Sequence, residues 1–96
     1  MTKAQMIETI CEREARAWFA LIEQEYNEAP RTGNVEEIIK WSCNDITHLK
    51  LLYAWSELNE LLETFHIEPD YENPYRKLAH DYTNDLYKER TSHHEQ

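Results

Sequence analysis

The feature that most constrains the fold is a long stretch, Val35 to Ile67, that contains neither glycine nor proline. At a rise of about 1.5 Å per residue it could form a single helix about 50 Å long. The whole chain of 96 residues has one Gly and three Pro. A β-sandwich needs a turn about every ten residues, so this chain has too few turn residues for that class. The sequence therefore predicts an all-α fold.

The first predicted helix covers about residues 2–28, where apolar side chains recur at the i, i+3, i+4 spacing of one helical face. The segment 30–34 holds a proline and the only glycine, and it ends this helix. Asn34 can cap the next helix, predicted over 35–66. Because the connection is short, we expect the first two helices to form an antiparallel hairpin.

A second break precedes Asn73 and Pro74, which form a favourable cap and first-turn pair. The third antiparallel helix is predicted over about 74–88. Residues 1–90 then form one helical domain. The polar residues 91–96 form a flexible C-terminal tail.

The central stretch changes its apolar face halfway along. The apolar residues of its first half and those of its second half lie on faces about 145° apart on a straight helix. Either the helix breaks near Ser42–Asp45, where polar side chains could cap a new start, or it continues and buries opposite sides in its two halves. We favour one long central helix, since no Gly or Pro interrupts it.

A continuous central helix would place the other two helices on opposite sides of it. Apolar surface would then be left over on the first helix and around Leu51–Trp55. Exposed patches of this kind usually mark a partner surface, and a symmetric homodimer is the simplest way to cover them. We therefore expect dimerisation to complete the fold, with a bent central helix in a closed monomeric bundle as the alternative.

The net charge of −9, from 19 acids and 10 bases, disfavours direct binding to nucleic acid or to anionic membranes. No apolar run approaches the roughly 18 residues of a membrane span, and the N-terminus is not a signal peptide. Two cysteines, Cys11 and Cys43, are too few for a disulfide scaffold. We expect a cytoplasmic protein whose partner is another protein with a basic or apolar surface.

Five residues are candidates for an interface. Glu14 and Glu25 fall inside the apolar arc of the first helix, so each needs a partner or a route to water. The hairpin register pairs them with Lys50 and Lys40, and the alternative is a basic residue of another protein. Trp41 lies about 120° off the neighbouring apolar face and is expected to be partly exposed. The interface candidates are Trp41, Leu51, Trp55, Glu14 and Glu25.

Two acid–histidine pairs have the spacing of helical metal ligands, Asp45 with His48 and Glu63 with His66. Both lie on one predicted helix about 27 Å apart, so they cannot share a metal within one chain, although antiparallel central helices in a dimer could bring one pair near the other. Neither pair makes a set of four ligands. We predict no metal and no cofactor, and these four residues remain minor candidates.

The sequence contains no catalytic constellation, so we predict no enzymatic activity. The favoured hypothesis is a small acidic protein–protein interaction module acting as an adaptor, inhibitor or accessory factor, a type common among small phage and mobile-element proteins. One alternative is an inhibitor that mimics nucleic acid and blocks a DNA- or RNA-binding protein. The other is a metal-binding helical enzyme that uses the two acid–histidine pairs.

Overall fold

The computed structural model describes residues 1–95, with side chains described through residue 92. It confirms the all-α class, and residues 1–95 contain no strand. The three-helix count is wrong, because this part of the chain forms four helices. They are α1 (Lys3–Glu28), α2 (Val35–Asn44), α3 (Ile46–Thr64) and α4 (Pro74–Glu95).

The bounds of α1 agree with the prediction to within a residue at each end. Thr2 and Gln5 form a capping box, in which each side chain accepts a hydrogen bond from the backbone N–H of the other. At the other end, Ala29 adopts an extended backbone and Pro30 follows it. Proline disfavours a helical conformation in the residue before it, so the helix ends there.

The predicted continuous central helix is wrong, and the alternative break near Ser42–Asp45 is confirmed. Asp45 has φ −81° and ψ 112°, an extended conformation between α2 and α3. Its backbone N–H donates to the carbonyl of Trp41 at 2.9 Å and closes α2. Its side chain accepts from the backbone N–H of His48 at 2.8 Å and caps α3. Asp45 thus stabilises the end of α2 and the start of α3. Its two hydrogen bonds offset the backbone hydrogen bonds that a continuous helix would have made at the break.

The helix at the centre of the fold is α1, and this corrects the prediction for 35–66. Over the described part of the chain, residues 1–95, α1 packs against both α3 and α4, whereas α2 makes close contacts with no helix other than α3, which follows it directly. Within residues 1–95, α3 and α4 do not pack directly against each other. The chain is therefore elongated, with extents of 54 × 25 × 19 Å and a radius of gyration of 15.3 Å. A compact chain of 100 residues would have a radius of gyration of about 13 Å.

Hydrogen bonds along α1 fix the directions of its two neighbours. Gln24 bonds to Asp45 at 3.2 Å, and Glu14 bonds to Trp55 at 2.7 Å, so α3 runs antiparallel to α1. α4 runs parallel to α1. The residue before α4, Asn73, bonds to Glu12 in the first half of α1, and near the other end of α4 the Nε of Arg90 donates to the carbonyl of Pro30 at 3.4 Å.

The predicted hairpin register is wrong by one to two helical turns. Glu14 meets Trp55 rather than Lys50, and Glu25 meets His48 rather than Lys40. The register depends on the length of the connection between the two paired helices. Because α2 does not pack on α1, that connection includes α2, and the paired residues of α3 lie further along the chain.

α4 extends to Glu95, seven residues beyond the predicted end of the third helix. Gln96, the last residue of the predicted 91–96 tail, lies outside the described residues. Aromatic contacts join α4 to α1, with the ring centroid of Tyr82 at 6.0 Å from that of Phe19 and 4.5 Å from that of Tyr26. Centroid separations in this range are those preferred by interacting aromatic pairs.

Candidate functional site

A fully buried carboxylate joins the three long helices. Glu14 of α1 has 0% exposure. Its Oε2 accepts a hydrogen bond from the indole Nε1 of Trp55 on α3 at 2.7 Å. Its Oε1 accepts from the guanidinium of Arg76 on α4. The same guanidinium also lies over the ring of Tyr71, with its central carbon 5.5 Å from the ring centroid.

A second carboxylate of α1 joins α3 three turns further along. Glu25 Oε1 lies 2.9 Å from the Nε2 of His48, whose side chain is almost completely buried at 4% exposure. The Nδ1 of His48 has no hydrogen-bond partner among the described residues. The charge of Glu25 also acts on Arg90 of α4. Burial lowers the pKa of Arg90, and the Glu25 carboxylate raises it in partial compensation.

These two clusters explain why acids stand on the apolar arc of α1. Glu14 contacts a ring nitrogen of α3 and the guanidinium of an α4 arginine, and Glu25 contacts a ring nitrogen of α3. Buried charges need such partners, because removing one partner leaves the other uncompensated. Glu14 is therefore committed to contacts within its own chain. Sequence spacing did not reveal this, since Arg76 is 62 residues away from Glu14.

The break at Asp45 bends the chain toward one side. The ring centroids of Trp41 and His48 lie 4.9 Å apart. On a straight helix, residues seven positions apart are separated by about 10.5 Å along the axis. The bend therefore closes on the side of these two rings, and Trp41 lies inside it, half-buried against His48.

The outer side of this bend carries exposed apolar residues. Ile39 lies two positions before Trp41, and Ile46 lies two positions before His48. At about 100° per residue, each isoleucine therefore points about 160° away from the corresponding ring. Ile46 is 68% exposed and Tyr53 is 71% exposed. We call this set the elbow surface, and it comprises Val35, Ile39, Ile46, Leu49 and Tyr53.

The elbow surface includes part of the leftover apolar patch that the sequence predicts. We expected apolar surface around Leu51–Trp55, and within this range Leu52 is 37% exposed and Tyr53 is 71% exposed, whereas the residues at both ends of the range are half-buried. Trp55 packs against Trp18 of α1, with ring centroids 4.9 Å apart. The first-half apolar face, which was expected to pack on α1, is the exposed one. The second-half face, which was expected to pack on the third helix, packs on α1 instead.

The four minor metal-ligand candidates have other roles in the chain. Asp45 caps α3, and His48 contacts a carboxylate of α1. Glu63 accepts from the side chain of Asn59 at 3.2 Å. His66 has a positive φ of 55° and lies just after the end of α3, where a left-handed residue is common. Among the described residues, no three His, Cys, Asp or Glu side chains are grouped so that they could hold a metal ion.

None of the four helices, over the part of the chain that the structure describes, combines the length and apolar character that crossing a membrane requires. Comparisons of the chain with protein-family models, with curated proteins and with solved structures found no match. The structural class of the protein is therefore described from its own fold and surface. It is an elongated all-α protein with a buried interhelical ion pair and an exposed apolar face on its bent α2–α3 segment.

Proposed function

We propose that the protein is a non-catalytic protein–protein interaction module, an adaptor, inhibitor or accessory factor, that docks through the elbow surface. The observation that carries this proposal is the exposure of the apolar side chains on α3 that face away from α1. Ile46, Leu49 and Tyr53 are all exposed. An exposed apolar surface that extends along one element is typical of an interaction site.

The composition of α3 strengthens the proposal. Residues 46–56 contain one Lys and no Arg, Asp or Glu. Leu61 and Phe65 add exposed apolar surface further along the chain. Apolar side chains on a helix normally face the core, but α3 also carries apolar side chains on the side that faces away from α1. Burying a large apolar side chain contributes about 1.5–3 kcal/mol, so covering this surface would stabilise a complex substantially.

The partner is a protein with an apolar patch, and basic groups at its edge would suit the acids near the elbow surface. Glu36 and Glu37 lie in the first turn of α2, and Glu57 and Glu60 are exposed on α3. Opposite charges at the rim of an interface mainly direct association and orientation. The proposal includes a homodimer, in which the protein partner that covers the elbow surface is a second copy of the chain.

A cytoplasmic location is also part of this proposal. Cys11 and Cys43 are both free thiols, and Cys43 is exposed. Free cysteines are the usual state in a reducing compartment.

The alternative of nucleic-acid mimicry gains no support from the arrangement of the acids. Mimicry needs a dense acidic stripe that follows the spacing of phosphates. Several acids here are instead paired with bases, as Glu12 is with Arg16 and Glu89 with Arg31.

The alternative of a metal-dependent enzyme gains no support from the positions of its ligands. Such an enzyme would need the pair Asp45/His48 and the pair Glu63/His66 in one site. Within one chain these pairs lie at opposite ends of α3, and Asp45 and His48 already bind a backbone N–H of α3 and a carboxylate of α1, respectively.

Site-specific photocrosslinking tests the proposed function. A photoreactive phenylalanine replaces Tyr53, which is 71% exposed, and Tyr87 of α4, which is 70% exposed, is the matched control. In cells that express the protein, we expect protein adducts from position 53 and few from position 87. The same replacement is made at Ile39 and Ile46. If none of the three elbow positions forms more adduct than position 87, docking through the elbow surface is ruled out.

A further inference from the structure

We infer that the α3 part of the elbow surface binds a second copy of this chain, with the two α3 helices antiparallel about a two-fold axis beside Tyr53 and Ala54. The inference rests on the proposed function, because it names the protein that covers this surface. It also defines which residues meet and in which orientation.

The outer face of α3 is complementary to itself when it is turned end for end. An axis between positions 53 and 54 places Ile46 of one copy opposite Leu61 of the other, and both of these apolar residues are exposed. The same axis places Lys50 opposite Glu57 of the second copy. A two-fold axis makes every contact twice, so the interface contains two Ile46–Leu61 contacts and two Lys50–Glu57 pairs.

Helical periodicity places these side chains on one face. Counting about 100° per residue, Ile46, Lys50, Tyr53, Glu57 and Leu61 fall within an arc of about 80°. An arc of that width matches the contact strip of two packed helices. All five residues are exposed in the single chain.

The charges on this strip are available to a second copy. Over the described residues, neither Lys50 nor Glu57 forms a salt bridge within the chain. In an antiparallel pair the two opposite charges meet. In a parallel pair Lys50 would stand opposite Lys50, and Glu57 opposite Glu57. The charge pattern therefore selects the antiparallel orientation, since like charges placed face to face are unfavourable.

The net charge of −9 on each copy opposes self-association, but its effect at this strip is limited. α1 lies behind α3, on the side away from the strip, because Trp55 and His48, which contact α1, lie about 160–180° around α3 from the strip. The charges of α1 are thus at least about one helix diameter, 10–12 Å, from the second copy. That distance exceeds the Debye length of about 8 Å at physiological ionic strength.

Charge reversal provides a test that depends on the proposed orientation. The Lys50→Glu variant and the Glu57→Lys variant each place like charges opposite each other twice in a homodimer. Sedimentation equilibrium should show dimer in the unaltered protein, and dimerisation weakened by about tenfold in each variant. An interface made by one pair of helices is small, so we expect a dissociation constant on the order of micromolar.

The two single variants should recover dimerisation when they are mixed. In the mixed pair, positions 50 and 57 are both acidic in the Lys50→Glu chain and both basic in the Glu57→Lys chain, so both contacts become attractive again. The double variant K50E/E57K should also dimerise, because each acid again meets a base. Lys88→Glu, a reversal at an exposed position of α4, is the control and should leave dimerisation unchanged. Circular dichroism checks that each variant retains its helices.

Two results would overturn the inference. One is a monomeric mass for the unaltered protein at every concentration up to several hundred micromolar, about a hundredfold above the expected dissociation constant. The other is failure of the mixed variants to associate while the unaltered protein dimerises. The proposed function would survive either result if position 53 still crosslinks to a different protein, because the mass of the adduct distinguishes a second copy from another partner.

Discussion

Trp55 donates its indole N–H to Glu14 at 2.7 Å, and this bond joins α3 to α1 at a carboxylate with no exposed surface. Arg76 of α4 supplies the opposite charge to the same carboxylate. One side chain of α1 therefore holds both neighbouring helices. The acid that was predicted to be an interface residue is part of the interior of the fold.

Removing the Glu14 charge should destabilise the protein strongly. We expect Glu14→Gln to lower the free energy of unfolding by about 3–5 kcal/mol, because Arg76 would be left as an uncompensated, largely buried charge. Urea unfolding followed by circular dichroism measures this. Glu72→Gln is the control, since Glu72 makes only an exposed pair with Lys77 at 3.7 Å and should change stability by about 0.5 kcal/mol or less.

The double variant Glu14→Leu/Arg76→Leu separates the charge effect from packing. Replacing a buried ion pair by apolar residues is often neutral, so the double variant should be more stable than Glu14→Gln. The same urea titration measures it. The single variants Glu14→Leu and Arg76→Leu complete the comparison. If the double variant loses as much free energy of unfolding as the two single variants together, the two residues act independently.

Asp45 should control the bend between α2 and α3. Asp45→Ala removes the side chain that caps α3, and we expect a loss of about 0.5–2 kcal/mol. For a domain of this size, a loss of about 1 kcal/mol corresponds to a fall in melting temperature of about 4–8 °C. Asp45→Asn retains a capping oxygen and should lose much less. Thermal unfolding of the three proteins checks this order, and equal melting temperatures would contradict it.

The two cysteines should differ in their reactivity toward thiol reagents. Burial raises the pKa of the Cys11 thiol, and Asp70 and Glu14 raise it further through their charges. The reactive species is the thiolate, so at about pH 8 in the folded protein we expect Cys43 to react at least about tenfold faster than Cys11. The variants Cys11→Ser and Cys43→Ser assign the two rates. In denaturant the difference should disappear, and a persistent difference would argue against burial as its cause.

Local signals predicted much of the helical structure. Thr2, Asn34 and the Asn73–Pro74 pair all stand at helix starts, where capping depends on residues a few positions apart. The break at Asp45 was harder to predict. Its capping bonds are local, but the bend is also stabilised by the packing of Trp41 on His48, and His48 is held in turn by a carboxylate of α1.

The partners of Glu14 and Glu25 could not be predicted, because they depend on the register between the helices. Glu14 and Glu25 were identified correctly as anomalies on an apolar face. Their partners were assigned from a hairpin in which the whole of 35–66 packs on α1. Once α2 leaves that packing, each partner on α3 lies further along the chain than the assigned lysine, and Arg76 enters from a helix that was not expected to lie beside α1.

The central position of α1 has a consequence for how the chain folds during synthesis. Within residues 1–95, the packing partners of α1, which are α3 and α4, are both made after it. α3 and α4 pack on α1 rather than on each other, so each could dock on it in a separate step. Glu14, which binds residues of both helices, would couple these two steps through α1.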